Sequence, residues 1–394
     1  MNRREFLATT IASGVALASH AADSDRKLRV AVMGHTGRGN YGHGLDTVWL
    51  RIPETEIVAV ADADAKGLAA ELKKLKVTKG FADYRAMLAE TKPDIVALAP
   101  RFIDQHRDMA LAVIEAGVRG IYSEKPFCRT PAEADEIVAA CERRQVKFAL
   151  AHVERYNPAL QVIDRLLKDD GIGRLLELRA RGKEDSRGGA LDLWVLGSHV
   201  LNLANYFGGK PLACSAVLLQ GGRPVVRGDV KDGDEGVGPL AGNEVHARFE
   251  MERGVPLFFD SIQNAGDKNA GFGLQLIGTK GIVDLRVGRE PFAQLLAGSP
   301  FLPTGGPRAW VAISSAGVGK PEPIAENKVP GDRHLLAARD LIGAMRENRL
   351  PLCSAQEGRV TIEMISAVFE SHRLNGQRVT FPLQTRQNPL ALLG

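Results

Sequence analysis

The sequence predicts an α/β domain with a doubly wound parallel sheet, followed by an α+β domain built on a large, open, mainly antiparallel sheet. Three observations carry this. A β-branched apolar run, Leu28–Met33, ends directly on the glycine-rich turn Gly34 His35 Thr36 Gly37 Arg38 Gly39. Short apolar runs then alternate with helical segments as far as residue 151, the pattern of parallel strands joined by covering crossovers. From Asn157 onward apolar and polar residues alternate without intervening long helices, which gives a sheet one buried face and antiparallel neighbours.

Two frames compete at the glycine-rich turn. Gly37, Gly39 and Gly42 spell G-x-G-x-x-G, but a dinucleotide fingerprint sets its first glycine at the end of a strand, where only Gly34 sits. In that frame Gly34 makes the tight turn, and Thr36 replaces the glycine that lets backbone approach a diphosphate. Gly37 supplies that freedom one residue later, and Gly39 admits close packing of a following helix. Backbone amides from His35 to Gly39, including Arg38, are then expected to hold the diphosphate at a helix amino end. A second strand, 56–62, ends in Asp62, 23 residues beyond Gly39, the place of a carboxylate that grips the adenosine ribose. Such an acid repels a 2′-phosphate, so NAD is expected rather than NADP, with Asp64 an alternative for the task.

A third strand, 94–99, ends at Pro100, and a helix over 108–116 leads to a strand over 118–122. The chain then reads Ser123 Glu124 Lys125 Pro126. Proline cannot donate to a ladder, so the strand stops and presents a carboxylate and an ammonium at its carboxyl end, where open α/β sheets bind ligands. A strand over 147–151 completes a Rossmann domain, with His152 and Tyr156 at the junction beyond it. Further strands are expected at Leu175–Arg181, 213–219, 244–250, 255–263, 272–277 and Gly281–Val287. A helix over 191–202 carries Asp192, Trp194 and His199. Residues 229–242 read as a polar loop over the active site, with Asp234 and Glu235 available to hydroxyls, and 288–332 read as irregular.

The balance of 44% hydrophobic and 25% charged residues is that of a globular protein, and 394 residues suit two domains. A net charge of +4, with no basic run interleaved with aromatics, argues against nucleic acid as a partner. Asn2 Arg3 Arg4 Glu5 Phe6 Leu7 is a twin-arginine pattern before a weakly apolar run and a small-residue site at Ser19 His20 Ala21. Cleavage there leaves a charge of +3, no membrane span and an exported, periplasmic chain that folds before it crosses. Cys128, Cys141, Cys214 and Cys353 show no metal or redox spacing, and the sequence names no disulfide pair.

Together with Asp83 Tyr84 Arg85, Arg155 Tyr156 Asn157 Pro158 Ala159, Ile277 Gly278 Thr279 Lys280 Gly281 and Phe381 Pro382 Leu383, these motifs resemble the Gfo/Idh/MocA family of nicotinamide-dependent oxidoreductases. The resemblance implies domains at 27–151 (NAD-binding) and 152–384 (substrate and dimerisation), after a leader and linker at 1–26 and before a tail at 385–394. It implies a homo-oligomer, dimer or tetramer. It sets Lys125 against nicotinamide and substrate, places Pro100, His106 and Glu124 on the cofactor side, and matches His199 to the family's catalytic histidine. The family's aspartate, one helical turn earlier, is Val195 here, and a valine cannot touch the imidazole as a carboxylate would. Asp192, seven residues before His199 and about 10 Å along an ideal helix, shares nearly the same face. Asp192, Trp194 and His199 thus read as a modified pocket, with Tyr156 lining it. The other reading is that the stripe Leu193, Leu196, Val200 and Leu203 makes His199 a packing residue, and the Glu-Lys-Pro motif tells against it.

The expected activity is hydride transfer between a tightly held NAD and a secondary alcohol or ketone of a sugar or polyol, with Lys125 polarising the oxygen and His199 exchanging its proton. One alternative is an NAD-dependent glycoside hydrolase or lyase acting through transient oxidation. The other is a sugar-binding protein without chemistry.

Overall fold

A computed structural model describes residues 26–267, 272–302 and 306–394, so the twin-arginine segment lies outside the described residues. The first sheet comprises β1 (Leu28–Met33), β2 (Thr55–Ala61), β3 (Gly80–Phe81), β4 (Ile95–Leu98), β5 (Gly120–Ser123) and β6 (Lys147–Leu150). Its order is β3-β2-β1-β4-β5-β6, parallel throughout. α1 (Ala65–Leu75), α2 (Tyr84–Thr91), α3 (His106–Glu115) and α4 (Pro131–Arg144) supply the crossovers. Asp64, Asp83 and Thr130 start α1, α2 and α4 by accepting backbone amides at their amino ends.

The helix expected after the glycine turn does not form. Gly37, Gly39, Asn40, Gly42 and Gly44 all take positive φ, between 52° and 99°, and no right-handed helix runs through such residues. The segment folds as consecutive turns, followed by a single 3-10 turn, Val48–Arg51, anchored by the buried Trp49.

After β6 come a 3-10 turn, Val153–Tyr156, and α5 (Ala159–Lys168). The second sheet is built from β7 (Leu175–Arg181), β8 (Pro211–Gln220) and β9 (Arg223–Pro224), then β12 (Glu244–Met251), β13 (Pro256–Ile262), β14 (Phe272–Gly278), β15 (Gly281–Val287), β16 (Ala293–Ala297), β17 (Trp310–Ser314), β18 (Gly317–Val318) and β19 (Val379–Thr380). β10 (Lys231–Gly233) and β11 (Gly238–Leu240) form a separate hairpin. The sheet order is β18-β17-β16-β15-β14-β7-β13-β12-β8-β19, with β9 on β8, and β7–β13 is its parallel pair. Val245, Ala247, Phe249, Leu257, Phe259, Leu274, Leu276, Val283 and Leu285 alternate onto the buried face.

α6 (Ser198–Gly208) and α8 (Ala355–Arg373) cover that face, and α8 also packs on α4 of the first domain. α7 (His334–Glu347) lies on β5 and β6. The C-terminal helices therefore join the two sheets. Two readings are corrected here. Residues 288–332 contain β16, β17 and β18, short strands hidden among Gly and Pro. The helix over 191–202 is broken into a turn at Ala190–Asp192, a π-helical turn at Leu193–Gly197, and α6.

Candidate active site

β5 is buried along its length, and Glu124 N donates to Leu98 O at 2.8 Å, which holds Glu124 and Lys125 at the carboxyl ends of β4 and β5. Glu124 has no exposure. One of its oxygens meets His43 Nδ1 in a close contact, and the other has no partner in the protein. Burial opposes its charge, but His43 and the Lys125 ammonium outweigh that and hold the carboxyl down at about 2. Lys125, itself buried, sends Nζ across the domain boundary to Val195 O at 3.2 Å.

That oxygen belongs to the π-turn, whose wider winding frees backbone groups and recurs at functional sites. Four residues on, His199 is 8% exposed, its ring between His152 (centroids 5.1 Å apart) and Phe272 (6.1 Å). Burial, then the Lys125 charge, push its pKa well below the ordinary value, so it stands as a neutral imidazole facing an ammonium. His152 is likewise pushed down to about 3, by burial first and Lys125 next. The structure thus brings Lys125 and His199 together across the cleft, from sequence positions in different domains.

The crevice between the loops after β1 and β4 is the switch point of the first sheet, where such sheets take dinucleotides. What the turn after β1 offers a diphosphate is the open space at Gly37, since its amides from His35 to Arg38 are bonded within the protein. Gly37 has nothing within 4 Å of where a Cβ would lie, so its backbone is open on that side. At Gly39 a Cβ would stand 2.3 Å from Arg101 N, so only glycine lets the two loops close. His35 reaches Gln105 at 2.8 Å, and Arg38 pairs with Asp104 over the Phe102 ring, both spanning the crevice. The turn of the β10–β11 hairpin leans on the same Asp104 through Gly236, so the expected loop lies at this mouth as a hairpin.

Other expected roles are corrected. The amides of His35, Thr36, Gly37 and Arg38 are bonded to Asn40 O, Asp62, Asn40 Oδ1 and His35 O, and no helix amino end points at a diphosphate. Asp62 is 2% exposed and accepts Thr36 N, Thr36 Oγ1 (2.7 Å), Tyr41 OH (2.8 Å) and Asp64 N (2.9 Å), which uses the lone pairs a carboxylate has. It locks the turn instead of gripping a ribose. Asp64, exposed and spending one oxygen on Gly67 N, is the acid left open at that edge.

His106 is buried, with Nε2 2.7 Å from Pro100 O and Nδ1 2.9 Å from Pro126 O; burial favours the neutral ring, which donates to one of these carbonyls and packs on the other, between the Glu-Lys-Pro turn and the end of β4. Tyr156 spends its hydroxyl on Leu150 O and Cys353 O. The π-turn rotates Asp192 away from His199. Its carboxylate, fully buried, accepts Ser261 Oγ at 2.6 Å and Glu184 N at 2.9 Å, against β13. Trp194, 1% exposed, packs on Phe369 of α8. The residue passed over is His43, which directly follows Gly42 in the G-x-G-x-x-G frame set aside above.

Residues 28–152 match the family model GFO_IDH_MocA, described as an oxidoreductase family with an NAD-binding Rossmann fold. D-apiose dehydrogenase of Paraburkholderia graminis is 37% identical over 125 residues, 32% of this chain and 33% of that protein. Levoglucosan dehydrogenase of Pseudarthrobacter phenanthrenivorans is 23% identical over 81% of this chain and 88% of its own length. The structure of a levoglucosan dehydrogenase in complex with NADH and L-sorbose superposes with a TM-score of 0.72 at 22% identity, covering 91% of this chain and all of that one. The likeness extends the shared architecture over both domains.

Proposed function

We propose, from the match of residues 28–152 to the Gfo/Idh/MocA oxidoreductases, that the protein transfers hydride between NAD and a CH–OH group of a sugar or polyol. The convergence of Lys125 and His199 on one cleft carries this reading. Bound NAD supplies the carbon that accepts or returns the hydride. Lys125, buried beside Glu124, donates a hydrogen bond to the reacting oxygen and holds its developing negative charge. His199, neutral at pH 7, exchanges the hydroxyl proton. The names of the relatives make levoglucosan and apiose the first substrates to try. Absorbance in the reduced-nicotinamide band is expected to change when sugar is added to protein and NAD, and Lys125→Ala to abolish that change while nucleotide binding survives. Sugar binding with no nucleotide retained or accepted would overturn the reading.

The twin-arginine pattern at Arg3 and Arg4 supports export of the folded chain, and therefore a cofactor retained through turnover. Replacing both by lysine is expected to leave the protein in the cytoplasmic fraction. Nucleotide that dialyses away from the native protein would sink the retention.

A further inference from the structure

Val195 leaves His199 without the carboxylate that would fix its proton, and the backbone oxygen of Val195 is already taken by Lys125. Phe272, on another side of the ring, offers no acceptor. The polar group against the ring is His152, just past β6. Two nitrogens here are buried without a protein partner, His199 Nδ1 and His152 Nε2.

The chemistry behind His152 fixes its tautomer. Cys353 is pushed up to about 12 by burial, so it is a thiol, and its sulfur lies 3.6 Å from Asn202 Oδ1. That amide oxygen can only accept, so the S–H points to it. The sulfur lone pairs then face His152 Nδ1 at 3.9 Å. His152 then carries its hydrogen on Nδ1, which leaves its Nε2 bare and without a partner beside the His199 ring.

Resting on the oxidoreductase reading above, we propose that His152 is the positioning residue for His199: its Nε2 is the acceptor for the Nδ1–H of His199 and so presents His199 Nε2 to the substrate as the base. Ring centroids 5.1 Å apart bring the two unpartnered nitrogens within a ring rotation of one another, and no other partner reaches either. In alcohol oxidation the O–H proton passes to His199 Nε2, the C–H hydride leaves to the nicotinamide, and the C=O bond forms. His152 keeps its own proton throughout. A neutral acceptor steadies an imidazolium less than a carboxylate does. Burial, then Lys125, His152, His43 and His334, oppose charge on His199, while burial, Lys125 and Arg155 oppose and Glu124 favours charge on His152. His199 therefore stays unprotonated, ready to accept the proton, well into the acid range, and its limb in the pH profile of oxidation lies on the acid side.

The test reads the tautomers in ¹⁵N-histidine-labelled, signal-processed protein by long-range ¹H–¹⁵N NMR between roughly pH 6 and 9, with His199→Gln assigning the His199 signals. His199 and His152 are both expected as Nδ1–H tautomers, and His152→Phe is expected to convert His199 toward Nε2–H. His152→Asn, which keeps an acceptor oxygen, is expected to hold it. In turnover, His152→Phe is expected to lower kcat by roughly tenfold or more, with KM little changed and the acid limb displaced. His199 protonated on Nε2 in the unsubstituted protein overturns the proposal, as does a tautomer indifferent to His152→Phe. Should His152→Phe not fold, the unsubstituted spectrum decides alone. The NMR needs no substrate, so absent sugar turnover with His199 in the Nδ1–H form counts against the oxidoreductase reading and leaves this one standing.

Discussion

Glu124 shows how a single residue can set the electrostatics of the cleft. A carboxylate without exposure would ordinarily be protonated, and His43 with Lys125 reverses that, from an ordinary 4.5 to about 2. The folded value lies below the unfolded one, so the group contributes stability that is full above pH 4.5 and is lost as pH falls toward 2. The shift corresponds to about 3 kcal/mol. His43 is the first group that compensates burial, so His43→Ala should raise the Glu124 pKa and move acid unfolding, followed by circular dichroism, to higher pH. An unchanged midpoint would show that His43 does not sustain the charge. His152 and His334, pushed down to about 3 and about 4 by burial, act in the same direction. The unfolded chain takes up their protons near pH 6.5 while the native one resists, so stability also declines below that pH.

Among the elements, the turn after β1 shows what a glycine pattern can and cannot tell. Gly37 and Gly39 both hold positive φ, yet only Gly39 faces backbone, at Arg101. Gly39→Ala should therefore destabilise the protein clearly more than Gly37→Ala in urea titrations, since both carry a left-handed strain of about 1 kcal/mol but only one forces two loops apart. Equal losses would mean that the crevice yields. The strands were legible because period-two and β-branched runs report burial directly, and β1, β7 and β15 span the residues expected. Lys125 was singled out by a proline stop at a strand end and, like His199, by its match to the motifs of the Gfo/Idh/MocA family. The missing helix was not, because G-x-G-x-x-G shows where glycines stand but not that five residues take positive φ. Nor was the π-turn, because one extra residue in a helical winding leaves the apolar stripe intact while turning Asp192 toward Ser261 and Trp194 toward Phe369. Asp62 read as an open acid because nothing in the sequence shows that Thr36 and Tyr41 fold back onto it.

Across the molecule, the cleft depends on how the two sheets are held together, and Arg333, without exposure, lies at that junction. Its Nη1 lies 2.9 Å from both oxygens of Glu154, two residues past His152, while its other nitrogens reach Asn327 at 3.1 Å and Glu290 in the β15–β16 connection. The guanidinium also lies over the Phe292 ring. Replacing such a pair by apolar residues can be neutral, but removing one partner strands a buried charge, at about 3–5 kcal/mol. Arg333→Met should therefore lower Tm sharply near neutral pH, and Arg333→Met with Glu154→Gln should recover most of the loss. Burial already pushes Glu154 up, and without Arg333 it rises further. In the single variant the folded state then holds a proton that the unfolded state releases above its ordinary value of 4.5. Its stability deficit should accordingly shrink as pH falls from 8 toward 5. Calorimetry of the single and double variants across that range decides the matter. A deficit that is constant with pH, and unrelieved by Glu154→Gln, would mean that Arg333 holds the domains by packing on Phe292 and not by neutralising Glu154.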